Sequence, residues 1–101
     1  MRIRLAPFLL TSLLLGGCAT DTSGLYGEDL FEASCAHCHR SDLTGDVGPA
    51  LGPGSNVATL TDDQIIGVIR IGPGAMTSFG DRFTDAQLDS LVRFLRERQA
   101  P

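Results

Sequence analysis

"CAHCH", Cys35–His39, holds two of the three cysteines and both histidines of a 101-residue chain. Two thiols three residues apart, with a histidine directly after them, fit three chemistries. They are a redox disulfide, three of the four ligands of a zinc site, or the attachment point of a covalent haem. The rest of the chain has to separate them.

The third cysteine comes first. "MRIRLAPFLLTSLLLGGC", residues 1–18, has a basic start, Arg2 and Arg4, then an apolar run from Leu5 to Leu15. Such a run is too short for a membrane span, which takes about 20 residues. It has the order and flanks of a secretory signal. "LGGC", Leu15–Cys18, resembles a bacterial lipobox, in which the signal is cut before a cysteine whose thiol then carries lipid. A buried N-terminal helix closed by Gly16-Gly17 is the plainer alternative. The three features occurring together and in order favour the lipoprotein. This divides the chain into a signal peptide, residues 1–17; a lipidated Cys18 with a short tether, residues 18–24; and one domain, residues 25–101.

A mature chain of 84 residues, 18–101, sits near the lower limit for a self-sufficient apolar core. Domains of that size usually need a staple: disulfides, a metal or a cofactor. With Cys18 lipidated, Cys35 and Cys38 are the only free pair. The mature chain has six arginines, no lysine and twelve acids, a net charge of −6. That argues against nucleic-acid binding, which needs a basic face. It favours partners with a basic docking surface, although many of the acids fall in first helical turns, where they suit the helix dipole.

"ATDTSG", Ala19–Gly24, reads as a polar tether with an r.m.s. span of roughly 13 Å. "LYGEDLFEASCAHCH" reads as a helix, with Leu25, Leu30, Phe31 and Ser34 at helical spacing. The following Gly/Pro/Ser/Asp-rich stretch is loop, with at most one turn of helix. "TDDQIIGVIRIG" predicts a second helix, opened by a Thr61–Gln64 capping box, lined by Ile65, Ile66, Val68 and Ile69, and ended by Gly72. "TDAQLDSLVRFLRERQ" predicts a third, with a Thr84–Gln87 capping box and an inner stripe of Leu88, Leu91, Val92 and Leu95. No period-two alternation appears. The class is all-α: three main helices joined by Gly/Pro-rich loops. These bury little surface between them, so something else is expected to fill the middle.

A zinc site lacks its fourth ligand, since the only other histidine, His37, lies between the two cysteines. A thiol oxidoreductase of the CxxC kind opens a helix after a strand, whereas this CxxC closes a helix and no βαβ pattern surrounds it. Covalent haem suits both the spacing and the small core. Cysteines at i and i+3 share a helix face, so both thiols reach one porphyrin, and the next residue turns an imidazole toward the iron.

In its motifs and their order the mature chain resembles a small bacterial class I cytochrome c, in a lipid-anchored form. "GEDLFEASCAHCH" is similar to that family's first helix, "GPALG" to its proline loop, "GPGAMTSFG" to its methionine loop and "LDSLVRFLRE" to its closing helix. The resemblance implies a cytochrome c fold around one haem c, with thioethers at Cys35 and Cys38 and axial iron ligands His39 and Met76. It implies that the Pro49 carbonyl steadies His39, and that Gly27 lets the first and last helices cross closely, with Phe31 and Phe94 packing there. Relatives often carry proline after the methionine. Here Thr77 stands instead, predicting a less rigid loop unless its hydroxyl bonds locally.

Val47, Leu51, Ile65, Ile69, Phe79 and Phe83 are the expected pocket lining; Arg40 or Arg70 could meet a propionate, but a solvated surface charge is the favoured reading of each. Met76 as plain core filling is the bland alternative. His37 is expected to be an exposed residue between the thioethers. The resemblance implies a non-enzymatic one-electron carrier on the outer side of a bacterial membrane. It would serve membrane-bound redox partners and take no small-molecule substrate. In a Gram-negative host, Ala19 after Cys18 leans toward the outer membrane. The rivals are a haem subunit of a periplasmic dehydrogenase, a five-coordinate haem peroxidase and a thiol oxidoreductase.

Overall fold

Two threonines set the frame. Thr61 and Thr84 each accept from the amide three residues on, and Gln64 and Gln87 reach back to the threonine amides at 2.9 Å. Both capping boxes expected from the sequence are therefore closed. The structure is a computed structural model that describes residues 21–101. The signal-peptide, lipobox and Cys18 readings lie outside the described residues.

Four α-helices follow one another: α1 (Gly27–Ser34), α2 (Ala36–His39), α3 (Asp62–Ile71) and α4 (Asp85–Gln99). A 3-10 turn, Asn56–Thr59, precedes α3. No strand occurs among the described residues. This is the all-helical architecture expected, with one correction. The first helix was expected to run unbroken to His39. It starts two residues later than Leu25 and breaks at Cys35, whose φ of −124° leaves the helical region. The Cys35 carbonyl accepts from both Cys38 and His39, at 3.2 and 3.0 Å, so α2 is a new turn that Cys35 itself begins. No helix among the described residues is long and apolar enough to cross a membrane.

The core is where α1, α3 and α4 meet. Leu30 and Phe31, Ile65 and Ile69, and Leu88, Leu91 and Leu95 are all buried there. Each such side chain contributes roughly 1.5–3 kcal/mol of transfer free energy. The Phe31 and Phe94 rings lie 5.0 Å apart and tilted by 41°, a favourable aromatic pair.

The expected role of Gly27 needs correction. A Cβ placed on it would meet nothing within 4 Å, so it does not let two helices cross closely. Glycine is there for its φ of +52°, a left-handed value that side chains resist. Its N–H donates to Ser90 Oγ at 2.9 Å, which ties the start of α1 to α4.

The expected tether is partly fold. Gln87, almost fully buried, donates from Nε2 to the carbonyls of Thr22 and Leu25, at 2.9 and 3.1 Å. Asp21 accepts from the Ser23 hydroxyl and then the Ser23 amide, which hold its carboxyl below the usual range. Thr22 and Leu25 are thus both held against α4. Arg96 fastens the other end, pairing with Asp62 at 2.9 Å and donating to the Ala58 and Leu60 carbonyls.

Candidate functional site

α2, the loop after it, α3, the loop after that and one face of α4 enclose a cavity of about 430 Å³. That volume lies within the range of small-molecule and cofactor sites. Cys35, Cys38, His39 and Met76 all border it, as do Pro49, Leu51, Ile65, Ile69, Phe79 and Val47. The motif and the lone internal methionine, 37 residues apart in sequence, thus share one apolar chamber.

His39 is the best-defined group in it. Its side chain is buried, and Nδ1 lies 2.7 Å from the Pro49 carbonyl. A carbonyl only accepts, so Nδ1 carries the proton and Nε2 keeps its lone pair for a metal. The ring is also held from the side. A Cβ on Gly48 would fall 2.6 Å from His39 Cε1 and 2.8 Å from Nδ1, so only glycine fits beneath the imidazole. Backbone bonds close this segment on itself: Gly48 N–H to Cys38 O at 2.9 Å, Gly45 N–H to His39 O at 3.0 Å, and Leu51 N–H to Leu43 O at 2.9 Å.

Two of the chemistries first considered for the motif lose support. Among the described residues, no three His, Cys, Asp or Glu side chains converge as a metal cage requires. Burial pushes the Cys35 thiol up to about 12, with the Cys38 charge adding to it. At neutral pH such a thiol is not the thiolate that disulfide exchange needs.

A family model settles the class: that of cytochrome c oxidase, cbb3-type, subunit III matches residues 24–95. The chain belongs to the c-type cytochromes. Solved structures agree. Dihydro-heme d1 dehydrogenase NirN is 35% identical at a TM-score of 0.63, over 74% of this chain and 16% of that one. Cytochrome cL of Methylophaga aminisulfidivorans is 25% identical, TM-score 0.65, over 72% of this chain and 52% of that one. The KustC0563 c-type cytochrome, 23% identical, shares the fold at a TM-score of 0.65, over 75% of this chain and all of that one. The chain thus spans about half the length of cytochrome cL and a small part of NirN. No curated protein matches its sequence. The family's cofactor is a covalently bound haem c with its iron.

The residues present fit that group. A cytochrome haem needs two thiols, a lone-pair nitrogen and an apolar chamber, and the cavity offers each. The thioether of Met76 borders the same space.

Several expectations are corrected here. Phe83 does not line the cavity; it stacks behind Phe79, ring centroids 4.8 Å apart. Arg40 pairs with Asp46 at 3.7 Å and Arg70 with Asp85 at 3.2 Å at the surface, the plainer of the two readings given for each, and neither borders the cavity. The hydroxyl that bonds in the methionine loop is not that of Thr77 but that of Ser78, which donates to Arg70 O at 2.8 Å. His37 is exposed, as expected.

The sequence reading missed Val57 and Leu60, which line the cavity from the 3-10 turn and its end. They carry no periodicity, so only their apolar character amid Gly, Pro and Asn could have marked them. Leu91 and Leu95 were read as plain core, but they also face the chamber.

Proposed function

We propose that this c-type cytochrome is a lipid-anchored, one-electron carrier with a six-coordinate iron. Cys35 and Cys38 are its thioether positions, and His39 and Met76 its axial ligands. The observation that carries this reading is the convergence of all four residues on one apolar cavity, with the His39 tautomer set by Pro49. When bound, haem c supplies a reversible one-electron couple, which a methionine ligand places at higher potential. The protein's own part is to hold the imidazole still, to exclude water with Leu51, Ile65, Ile69 and Phe79, and to leave no iron position open for a substrate.

Cys18 is the lipid attachment, residues 1–17 being the signal peptide. The c-type family is extracytoplasmic in habit, and the anchor would keep the carrier close to membrane-bound donors and acceptors. The partner's docking surface is basic, matching the acidic excess of this chain. A second reading, as the haem module serving a periplasmic dehydrogenase, is favoured by the similarity to NirN.

The test is an absorption spectrum of protein made in a host with haem-attachment machinery. Haem that stays with the denatured chain, and a weak Met–Fe(III) charge-transfer band in the oxidised state, are the expected results. Haem lost on denaturation would refute attachment. A missing band would refute the methionine ligand. The mass of the N-terminal peptide, with Cys18→Ser as control, reads the anchor separately.

A further inference from the structure

The carbonyls at the end of α3 lack helical partners and must find others. Gly72 N–H closes on Val68 O at 2.9 Å. The remaining partners come from beyond the methionine. Phe79 N–H donates to Ile69 O at 3.2 Å, and Gly80 N–H to Arg70 O at 3.0 Å. Ser78 Oγ donates to the same Arg70 carbonyl at 2.8 Å. Residues 73–77, with Met76 among them, therefore form a loop whose two ends meet at one helix terminus. Gly72 permits the meeting: at φ +63°, a Cβ there would fall 2.5 Å from the Thr77 and Ser78 backbone.

The three bonds at the loop base differ in kind. Two are backbone bonds that any side chain would leave in place. The third depends on one hydroxyl. Ser78 is exposed and does not border the cavity, so it touches neither the cofactor space nor the core.

We propose that Ser78 is a positioning residue for Met76. Its bond to Arg70 O latches the loop shut, and so opposes displacement of the methionine by an outside ligand. It is the one side-chain hydrogen bond beside the two backbone bonds that close the loop base. The proposal rests on Met76 being the sixth ligand. An incoming ligand has to open the loop first, so its apparent affinity falls with the open fraction. Loss of one ordinary intramolecular hydrogen bond should raise that fraction about fivefold.

The experiment is an imidazole titration of the oxidised holoprotein, followed by absorbance, with thermal midpoints measured separately. Ser78→Ala should bind imidazole about fivefold more tightly than wild type. Ser78→Thr keeps the hydroxyl and should behave as wild type. Met76→Ala, with no methionine to displace, sets the tight limit. If Ser78→Ala binds no more tightly than wild type while Met76→Ala does, the latch is wrong and the ligand assignment stands, even if the midpoint falls. If Ser78→Thr shifts as far as Ser78→Ala, the hydroxyl is not the cause and the latch is again wrong. If Met76→Ala binds no more tightly than wild type, the ligand assignment fails and the latch with it.

Discussion

His39 and Met76 border the same cavity, but the chain around them is built differently. His39 ends a short helix and is only 7% exposed; its ring is pinned by Pro49 in front and Gly48 beneath. The turn beyond it holds strain. Arg40 sits at φ 64°, ψ 153°, a region nearly reserved for glycine, and Leu43 at φ 65° is left-handed and buried. Such residues cost of order 1–3 kcal/mol each and persist only where the surroundings over-determine them. Met76 is half-buried between exposed Ala75 and Thr77; its amide closes one turn within the loop, to Pro73 O at 3.2 Å, and backbone bonds tie the loop to the rest of the fold at its base. The histidine side is tied to its surroundings along its length, and the methionine loop to the rest of the fold at its ends. In this design the proximal segment is part of the fold, while the distal loop can open without the fold coming apart.

Two glycines put that contrast to its hardest test, because both would place a Cβ far inside contact distance. Gly48→Val drives atoms into the His39 ring, which cannot yield without losing the Pro49 carbonyl as its hydrogen-bond partner, so the cofactor seat itself is lost.

 Holoprotein yield of that variant, read as haem retained by the chain after denaturation, should fall close to nothing. Gly72→Ala meets the Thr77 and Ser78 backbone at 2.5 Å and forces a left-handed φ of +63° onto alanine. Here the haem should stay attached while the Met–Fe(III) charge-transfer band weakens or disappears. If Gly72→Ala loses its haem as Gly48→Val does, the distal loop is as integral to the fold as the proximal one, and the contrast drawn above is wrong.

Gly67 sharpens the comparison from the opposite direction. It lies inside α3, the helix from which the methionine loop hangs, and a Cβ there meets nothing within 4 Å. Gly67→Ala should stabilise the protein by roughly 0.5–1 kcal/mol, read from the denaturant midpoint. A firmer α3 that leaves imidazole affinity unchanged would show that the loop opens independently of its helix. A parallel drop in affinity would show that the helix end unwinds with it.

Much of this was legible in the sequence, and what was legible is local. The two capping boxes need only residues three apart, so Thr61–Gln64 and Thr84–Gln87 could be read directly. The apolar stripe of α4 and the αL glycine closing α3 are equally short-range signals. The motif at Cys35–His39 spoke for haem because its alternatives each needed a partner the chain does not contain. What stayed hidden depends on contacts distant along the chain. Gln87 served its capping box visibly, but its second task, holding Thr22 and Leu25, spans more than sixty residues and leaves no pattern. Gly27 was credited with a close helix crossing when the requirement was its own backbone angle. Thr77 drew notice through its departure from the expected proline, while Ser78, one residue on, makes the bond. The break at Cys35 was invisible because both of its flanks carry good helical sequence.

The smallest effect expected separates the two loops by pH. Asp42 lies in the proximal segment, where its carboxylate accepts from the Thr44 hydroxyl at 2.6 Å and from the Thr44 amide at 3.1 Å. The hydroxyl bond, then the amide bond, hold its pKa below the ordinary carboxylate value. A depressed folded-state pKa means that the unfolded chain takes up the proton first. The stabilisation is therefore complete above the unfolded value of about 3.9 and drains away as pH falls through the lower folded value. The distal stretch "GPGAMTSFG" holds no acid at all, so it has no matching dependence. Asp42→Asn should lower the denaturation midpoint slightly at pH 6, and the gap from wild type should close near pH 2. Asp42 is fully exposed, so the gap should also be small. A gap that stays constant across this range would mean that the Asp42 turn does not tighten the proximal segment through its charge, and that the rigidity there comes from the Gly48–His39–Pro49 contacts alone.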